Sequence, residues 1–277
     1  VSLVLIAAPQ TRARGPVSLL VTVVAPAQAP VTDLTAKDFT VQDGTHQIDV
    51  EAAEHATAPL AIVLIVENTQ REESAAPRTQ VLRTSLHAFV NTIRAGTADP
   101  QIGLFTDAGA SVPVIGLTGS PVDLDNAINL LTTAKLRPGA LIEAIADAAH
   151  VLREVPATRR AIVTVDFSAR EPAPMAALET VGTAVLRSSA TLWSVSVSGP
   201  AVGTPSRDAV LDAVSSATGG ARTVMVGASG VEPQLRAIAN SLLSQYTLRF
   251  VPPSGDPKSL RIRTPKGQAL FAAVDVR

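Results

Sequence analysis

Two apolar runs in this sequence end on a carboxylate. Residues 60–66 (LAIVLIV) stop at Glu67, and residues 160–165 (RAIVTV) stop at Asp166. Such runs read as parallel strands covered on both faces. In an open parallel sheet, ligands are held at the carboxyl ends of the strands. Gly139, at the start of a helix expected over 140–152, belongs to the same edge. One chemistry open to this edge is hydrolysis, with Asp166 acting beside a hydroxyl such as Ser168. That reading lacks an arranged general base in the sequence.

Other chemistries lack their residues. There are no cysteines, which excludes disulfides, thiol nucleophiles and cysteine–zinc sites. His46, His55, His87 and His150 do not have metal-ligand spacing. Asp123 and Asp125 fall in the first turn of a helix, where capping and the helix dipole account for them. Glu72 and Glu73 read as solvated loop charges, and Trp193 as packing within a core strand. No Gly-x-Ser-x-Gly elbow follows a strand, and neither a phosphate loop nor a dinucleotide fingerprint is present. A net charge of −1 offers no footprint for nucleic acid or an anionic membrane. Aromatic residues make up 3% of the chain, too few for a base-stacking platform.

The elements that must position these residues follow from periodicity. The 277 residues suit one large domain, or one domain with a small companion. Residues 17–24, 40–42 and 47–52 read as strands, with a hairpin turn at Asp43-Gly44. From Pro59 onward strand and helix alternate. A helix starts near Pro77 with Leu82, Leu86, Phe89 and Ile93 on one face, and Gly96 sits where a glycine cap would end it. Strands over 101–106 and 112–115 flank Asp107. Ser120-Pro121 opens the next helix, and Ala140 another. Strands at 192–197 and 222–226 and helices carrying Val181, Val210 and Leu235 complete the alternation, with Gly219-Gly220 as a helix stop. Residues 245–251, 259–263 and 270–276 return to β. The pattern predicts an α/β fold: a doubly wound, mostly parallel open sheet, Rossmann-like. Strands from both chain ends are expected to form a small β-sandwich beside it. The division is 14–57 pairing with 244–277, around an α/β domain over 58–243. Residues 1–13 read as the end of a secretory signal peptide, with Thr11 and Ala13 before the cleavage point; a strand is the alternative.

Several segments, in order, resemble a von Willebrand factor A-type domain, and more narrowly the von Willebrand factor A-related exported proteins of acidobacteria. They are residues 31–43 (VTDLTAKDFTVQD), the strand 60–66, Leu117-Thr118 ahead of Leu124, Ala217-Thr218-Gly219-Gly220, and Gln245-Tyr246-Thr247-Leu248 running on to Pro252. The resemblance covers nearly the whole chain. It implies a metal-ion-dependent adhesion site, in which a hard Mg²⁺ sits among oxygen ligands and keeps a position for a partner's carboxylate. Carried over position by position, the site departs from that pattern. Glu67 stands where the loop aspartate belongs, Thr69 at the first serine and Arg71 at the second. Gly139 replaces the threonine, while Asp166 keeps the late aspartate. Arginine carries donors only and cannot ligate a cation.

No metal and no other cofactor is therefore expected. Two placements are open for Arg71: bridging Glu67 and Asp166 in place of the metal, or pointing into solvent from a loop. The resemblance implies an exported bacterial binding or adhesion module, non-enzymatic, with a protein partner, no nucleic acid, and no membrane span in the mature chain. Its binding edge would comprise Glu67, Thr69, Arg71, Asp107, Gly139 and Asp166, within loops 67–76, 107–111, 136–140 and 166–174. The alternative is an Mg²⁺-dependent adhesion domain that recruits Asp107 or Glu143 as substitute ligands.

Overall fold

The computed structural model describes residues 16–26, 29–67, 69–70, 75–107, 112–131, 134–135, 140–167, 178–198, 205–252 and 260–272. The signal-like segment 1–13 lies outside them. Four strands come first: β1 (Val17–Val24), β2 (Thr40–Asp43), β3 (His46–Ile48) and β4 (Val50–His55). Alternation follows with β5 (Leu60–Val66), a two-residue β6 (Thr69–Gln70), α1 (Ala75–Gly96), β7 (Gln101–Thr106), β8 (Val112–Thr118) and α2 (Pro121–Asn129). Next come a two-residue β9 (Ala134–Lys135), α3 (Leu141–Arg153), β10 (Arg159–Asp166), α4 (Leu178–Arg187) and β11 (Ala190–Ser198). Then α5 (Pro205–Ala217), β12 (Arg222–Val226) and α6 (Val231–Leu243) lead to β13 (Tyr246–Phe250), β14 (Leu260–Arg263) and β15 (Gln268–Phe271).

The central sheet has the order β12-β11-β10-β5-β7-β8. Its strands are parallel except β8, which runs antiparallel to β7. All of β5 is buried. Leu60, Ile62, Leu64 and Val66 pack beneath α1, α2 and α6, while Ala61, Val63 and Ile65 pack beneath α3, α4 and α5. Side chains alternate between the faces of a strand, so a strand covered on both sides needs an unbroken apolar run. This is the doubly wound α/β architecture the periodicity predicts. After β5 the chain moves to β7 on one side and later returns to β10 on the other. The crevice between the carboxyl ends of β5 and β10 is thus the topological switch point, where such sheets hold ligands.

Both chain ends build the smaller unit. One sheet has the order β15-β1-β13-β4 and the other β14-β2-β3. They enclose Val21, Val23, Phe39, Val41, Ile48, Leu248 and Phe250. Tyr246 ties this core together: its hydroxyl donates to Val31 O at 3.1 Å and accepts from Leu34 N at 3.1 Å. Its ring meets Phe39 edge-on and stacks on His55. Asp38 holds the turn that presents Phe39, accepting from Thr35 N at 2.8 Å.

Arg159 joins the two units. It is buried at the start of β10 and donates to Ala56 O at 2.8 Å, Gln245 Oε1 at 3.2 Å, Ala58 O at 3.4 Å and Leu242 O. The last of these is a terminal carbonyl of α6, a position that favours a cation.

Two local expectations need correction. Gly96 is not a left-handed cap; it is the last residue of α1, outside the positive-φ glycines. A Cβ there would lie 2.4 Å from Leu243 Cδ1, so the glycine permits a close approach of α1 and α6. The final strand is Gln268–Phe271 rather than 270–276, and residues 273–277 lie outside the described ones. Gly219 does stop α5, with φ of 78°, and its neighbour Gly220 lies against the backbone of Leu192.

Candidate functional site at the carboxyl edge

Consecutive strands place three acidic residues side by side. Val66 is in register with Val165 of β10 and Thr106 of β7. The next residue on each strand is therefore Glu67, Asp166 or Asp107. Glu67 is 3% exposed, and Asp107 and Asp166 are 0% exposed. Backbone bonds continue past the strand ends: Glu67 N donates to Val165 O at 2.9 Å, and Asp107 O accepts from Ala140 N at 3.0 Å, fixing the start of α3. Three carboxylates thus lie in one buried row across the switch point.

Glu67 and Asp166 are both engaged by other parts of the chain. Glu67 Oε2 accepts the backbone N–H of Phe167, so the longer glutamate side chain crosses the crevice and caps the end of β10. The Phe167 ring lies under the guanidinium of Arg78 from α1, 5.5 Å away. Asp166 Oδ2 accepts from Ser196 Oγ at 2.7 Å; Ser196 is its register partner on β11. Asp166 Oδ1 faces Arg207 Nη2 at 3.3 Å, and both side chains are fully buried.

Arg207 begins a ladder of charges running outward along α5. Its Nη2 also meets Asp208 Oδ1 at 3.3 Å, and Asp208 meets Arg222 Nη2 at 3.0 Å. Arg222 spans both oxygens of Asp212 at 3.2 Å and donates from Nε to Ser196 Oγ at 3.1 Å. Among its acids, side-chain exposure rises from 0% at Asp166 through 33% at Asp208 to 63% at Asp212, while Arg222 is 7% exposed. Only the inner pair is dry, so only there is Coulomb attraction unscreened by water.

The sequence reading did not find Arg207, Asp208, Arg222 or Ser196. A signal was present. Arg207, Val210, Leu211 and Val214 follow the spacing of a helix face, and the three apolar members are buried. An arginine in that register is aimed at the core. Ser194 and Ser196 break the apolar pattern of β11 on the side where Leu192 packs against the α3–α5 layer.

The other expected site residues fall as follows. The backbone of Thr69 lies in β6, whose ladder with β9 pairs it with Ala134. Arg71, Gly139 and Ser168 lie outside the described residues, as do 108–111 and 168–174. Glu143 stands in the first turn of α3. Asp123 N donates to Ser120 Oγ at 3.3 Å, which is the capping expected of that turn. A groove of about 850 Å³ lies away from the carboxylates. It runs between α6, β12 and β15, and Trp193, Gln234 and Phe271 line it, with Arg222 and Asp212 at its wall.

No protein-family model matches the sequence, and no curated protein matches it. Solved structures do match in three dimensions. Proximal thread matrix protein 1 from the mussel byssus superposes with a TM-score of 0.54 at 13% identity, over 70% of this chain and 48% of that one. In another of its structures, matching with a TM-score of 0.55 at 11% identity, zinc occupies the MIDAS motif, the metal-ion-dependent adhesion site. The fold is that of a von Willebrand factor A-type domain. BatB from Bacteroides thetaiotaomicron matches with a TM-score of 0.52 at 10% identity, over 66% of this chain and 98% of that one. The minor pilin PilB from Streptococcus sanguinis matches with 0.52 at 9% identity, over 68% and 62%. The present chain spans about half the length of the mussel protein.

A von Willebrand factor A-type fold implies a divalent cation at this edge. The residues described here do not fit one. Asp166, which the resemblance aligns with the late aspartate of that site, has one oxygen against a buried guanidinium and the other on a serine hydroxyl. Glu67 spends an oxygen on a backbone amide. Among the described residues, no group of three His, Asp or Glu side chains is arranged to hold an ion. None of the described helices is long and apolar enough to cross a membrane.

Proposed function

We propose that this chain is a non-enzymatic, exported bacterial binding module that engages a protein partner at the carboxyl edge of its sheet without a divalent metal. The observation that carries the reading is the dry contact of Asp166 with Arg207 at 3.3 Å, where the fold type would otherwise use a cation. A rigid doubly wound scaffold supports the loops after β5, β7 and β10, and loops on such a scaffold are free to vary for recognition. Catalysis is disfavoured by the same contacts. Both oxygens of Asp166 are engaged, so it cannot act as a general base without breaking a buried pair. Export rests on the signal-like residues 1–13 and on the kind of protein that shares the fold: a byssal thread matrix protein and a minor pilin.

The test is capture of an extracellular partner by the immobilised chain, with and without EDTA, against a variant whose residues 168–174 are replaced by a Gly-Ser linker. Capture that survives EDTA and is lost with the linker supports the reading. Capture that EDTA abolishes favours the Mg²⁺-dependent alternative, and capture indifferent to the linker removes the edge from consideration.

A further inference from the structure

The structure assigns to Arg207 the part of a resident cation: its guanidinium stands in for a divalent ion at the carboxyl edge, and its removal would open a metal site there. The inference deepens the metal-free part of the proposed function and rests on it only in that respect. Partner capture plays no role in testing it.

The argument starts from the cost of burial. Asp107, Glu67 and Asp166 are at most 3% exposed, and they sit on the ends of three neighbouring strands. Neighbouring strands in a sheet are about 4.8 Å apart. Carboxylates on neighbouring strand ends, removed from water, require positive charge or donors nearby. Metal-dependent members of such a fold meet the requirement with a cation supplied from solution. Here α5 brings one in on the chain. Arg207 is its third residue, on the helix face that carries Val210, Leu211 and Val214 into the core. Its Nη2 reaches Asp166 Oδ1 at 3.3 Å, and its own side chain is 0% exposed. The second oxygen of Asp166 is held by Ser196, which Arg222 orients from the other side. A guanidinium is planar, always protonated and weakly hydrated, which suits it to permanent residence in a dry site. A divalent ion can arrive and leave; Arg207 cannot. The edge is therefore fixed in a single charge state and does not respond to metal.

Thermal unfolding of the parent, Arg207→Ala and Arg207→Lys, each in EDTA and in millimolar Mg²⁺ or Mn²⁺, tests the assignment. The parent is expected to melt at the same temperature in all three conditions. Arg207→Ala removes the guanidinium that faces the buried Asp166 and is expected to lose about 10 °C in EDTA, the scale for breaking a buried pair in a chain of this size. Mn²⁺ is expected to restore several degrees, because the guanidinium it replaces stands 3.3 Å from Asp166 Oδ1, an oxygen a hard cation can take up. Arg207→Lys keeps a positive charge and is expected to stay indifferent to metal. Should Arg207→Ala fold only with Mn²⁺ present, the assignment also stands. A parent stabilised by Mg²⁺ or Mn²⁺ would overturn it. So would an Arg207→Ala variant that melts like the parent, or one that is destabilised or unfolded and gains nothing from either metal. An Asp166→Asn/Arg207→Gln double variant provides a second check. It is expected to melt above both single variants, since neither charge is left alone; a melting point below either single overturns the pairing.

Discussion

Replacing Arg159 with methionine should weaken the junction between the two units more than it weakens either unit. Arg159 is 2% exposed and, among the described residues, has no carboxylate as a partner. Burial holds its guanidinium below the usual arginine pKa. Methionine fills much of the same volume but leaves the carbonyls of Ala56 and Leu242 and the amide of Gln245 without their donor. Each buried acceptor left unpaired costs about 1–3 kcal/mol. Removing a desolvated charge returns part of that. A net loss of about 3 kcal/mol is expected, or about 1 M in the urea midpoint for a chain of this size. The chain supplies its own probes, since it has one tryptophan and one tyrosine. Trp193 lies in the central sheet and Tyr246 in the sandwich core. Their fluorescence transitions should coincide in the parent and separate in Arg159→Met, with the Tyr246 transition first. A midpoint equal to or above the parent's would refute the reasoning. It would mean that desolvating the guanidinium costs more than its four hydrogen bonds contribute.

Four further predictions rest on local contacts. Gly220→Ala places a Cβ 1.9 Å from Leu192 O and 2.6 Å from Leu192 C, so the β11 backbone must move, and little soluble protein should be recovered. Gly96→Ala meets only the end of the flexible Leu243 side chain and should lower stability by about 1 kcal/mol in urea unfolding. Tyr246→Phe removes the hydroxyl that links Val31 O to Leu34 N and should cost about 1–3 kcal/mol by the same assay. In a carbon-detected NMR titration, Asp33 and Asp38 should both ionise below the usual carboxylate range, because Lys266 bonds to the first and the Thr35 N–H to the second. A lowered acid pKa in the folded state stabilises above the unfolded value, and that stability disappears as pH falls through the folded one. Any contribution from these exposed groups is therefore lost only in acid. Lys266→Met should return Asp33 to its ordinary range while Asp38 stays low. A joint shift of both would contradict the assigned causes.

The fold was legible because its signals are local and repeated. Continuous apolar runs marked the strands buried on both faces, and helical spacing marked the faces of α1 to α6. Ser120-Pro121 and Asp43-Gly44 marked a helix start and a hairpin by turn chemistry alone. Glu67 and Asp166 were legible as members of one edge because the strands of a parallel sheet share their carboxyl ends. The charge ladder was harder to read. Asp166 and Arg207 are 41 positions apart in sequence, and nothing in either segment indicates that β11 carries α5 back over the end of β10. The spacing of Arg207 with Val210, Leu211 and Val214 showed that it faced the core. It could not show what the arginine would meet there.

The residues behind the family resemblance also have a physical reading, and most of them are joints. Asp38 fixes the turn that presents Phe39, and Phe39 packs on Tyr246. Thr218 Oγ1 accepts from Leu192 N at 3.0 Å and donates to Val214 O at 2.8 Å, pinning the end of α5 to the start of β11. Gly219 and Gly220 let the backbones of β15 and β11 pass at distances no side chain permits. Most of these positions brace one unit from within, Gly219 lies against Phe271 of the other, and none of them points to a ligand. By the same resemblance, the residues that would carry metal chemistry depart from the pattern, Asp166 excepted. A scaffold whose joints are kept while its cation is replaced by an arginine can still present loops rigidly, since the buried row of carboxylates is held in place either way. What changes is control. Adhesion through a bound metal depends on the supply of that metal and lends a coordination site to the partner. Adhesion at an edge closed by Arg207 would have to come from the shape and polar groups of the loops themselves.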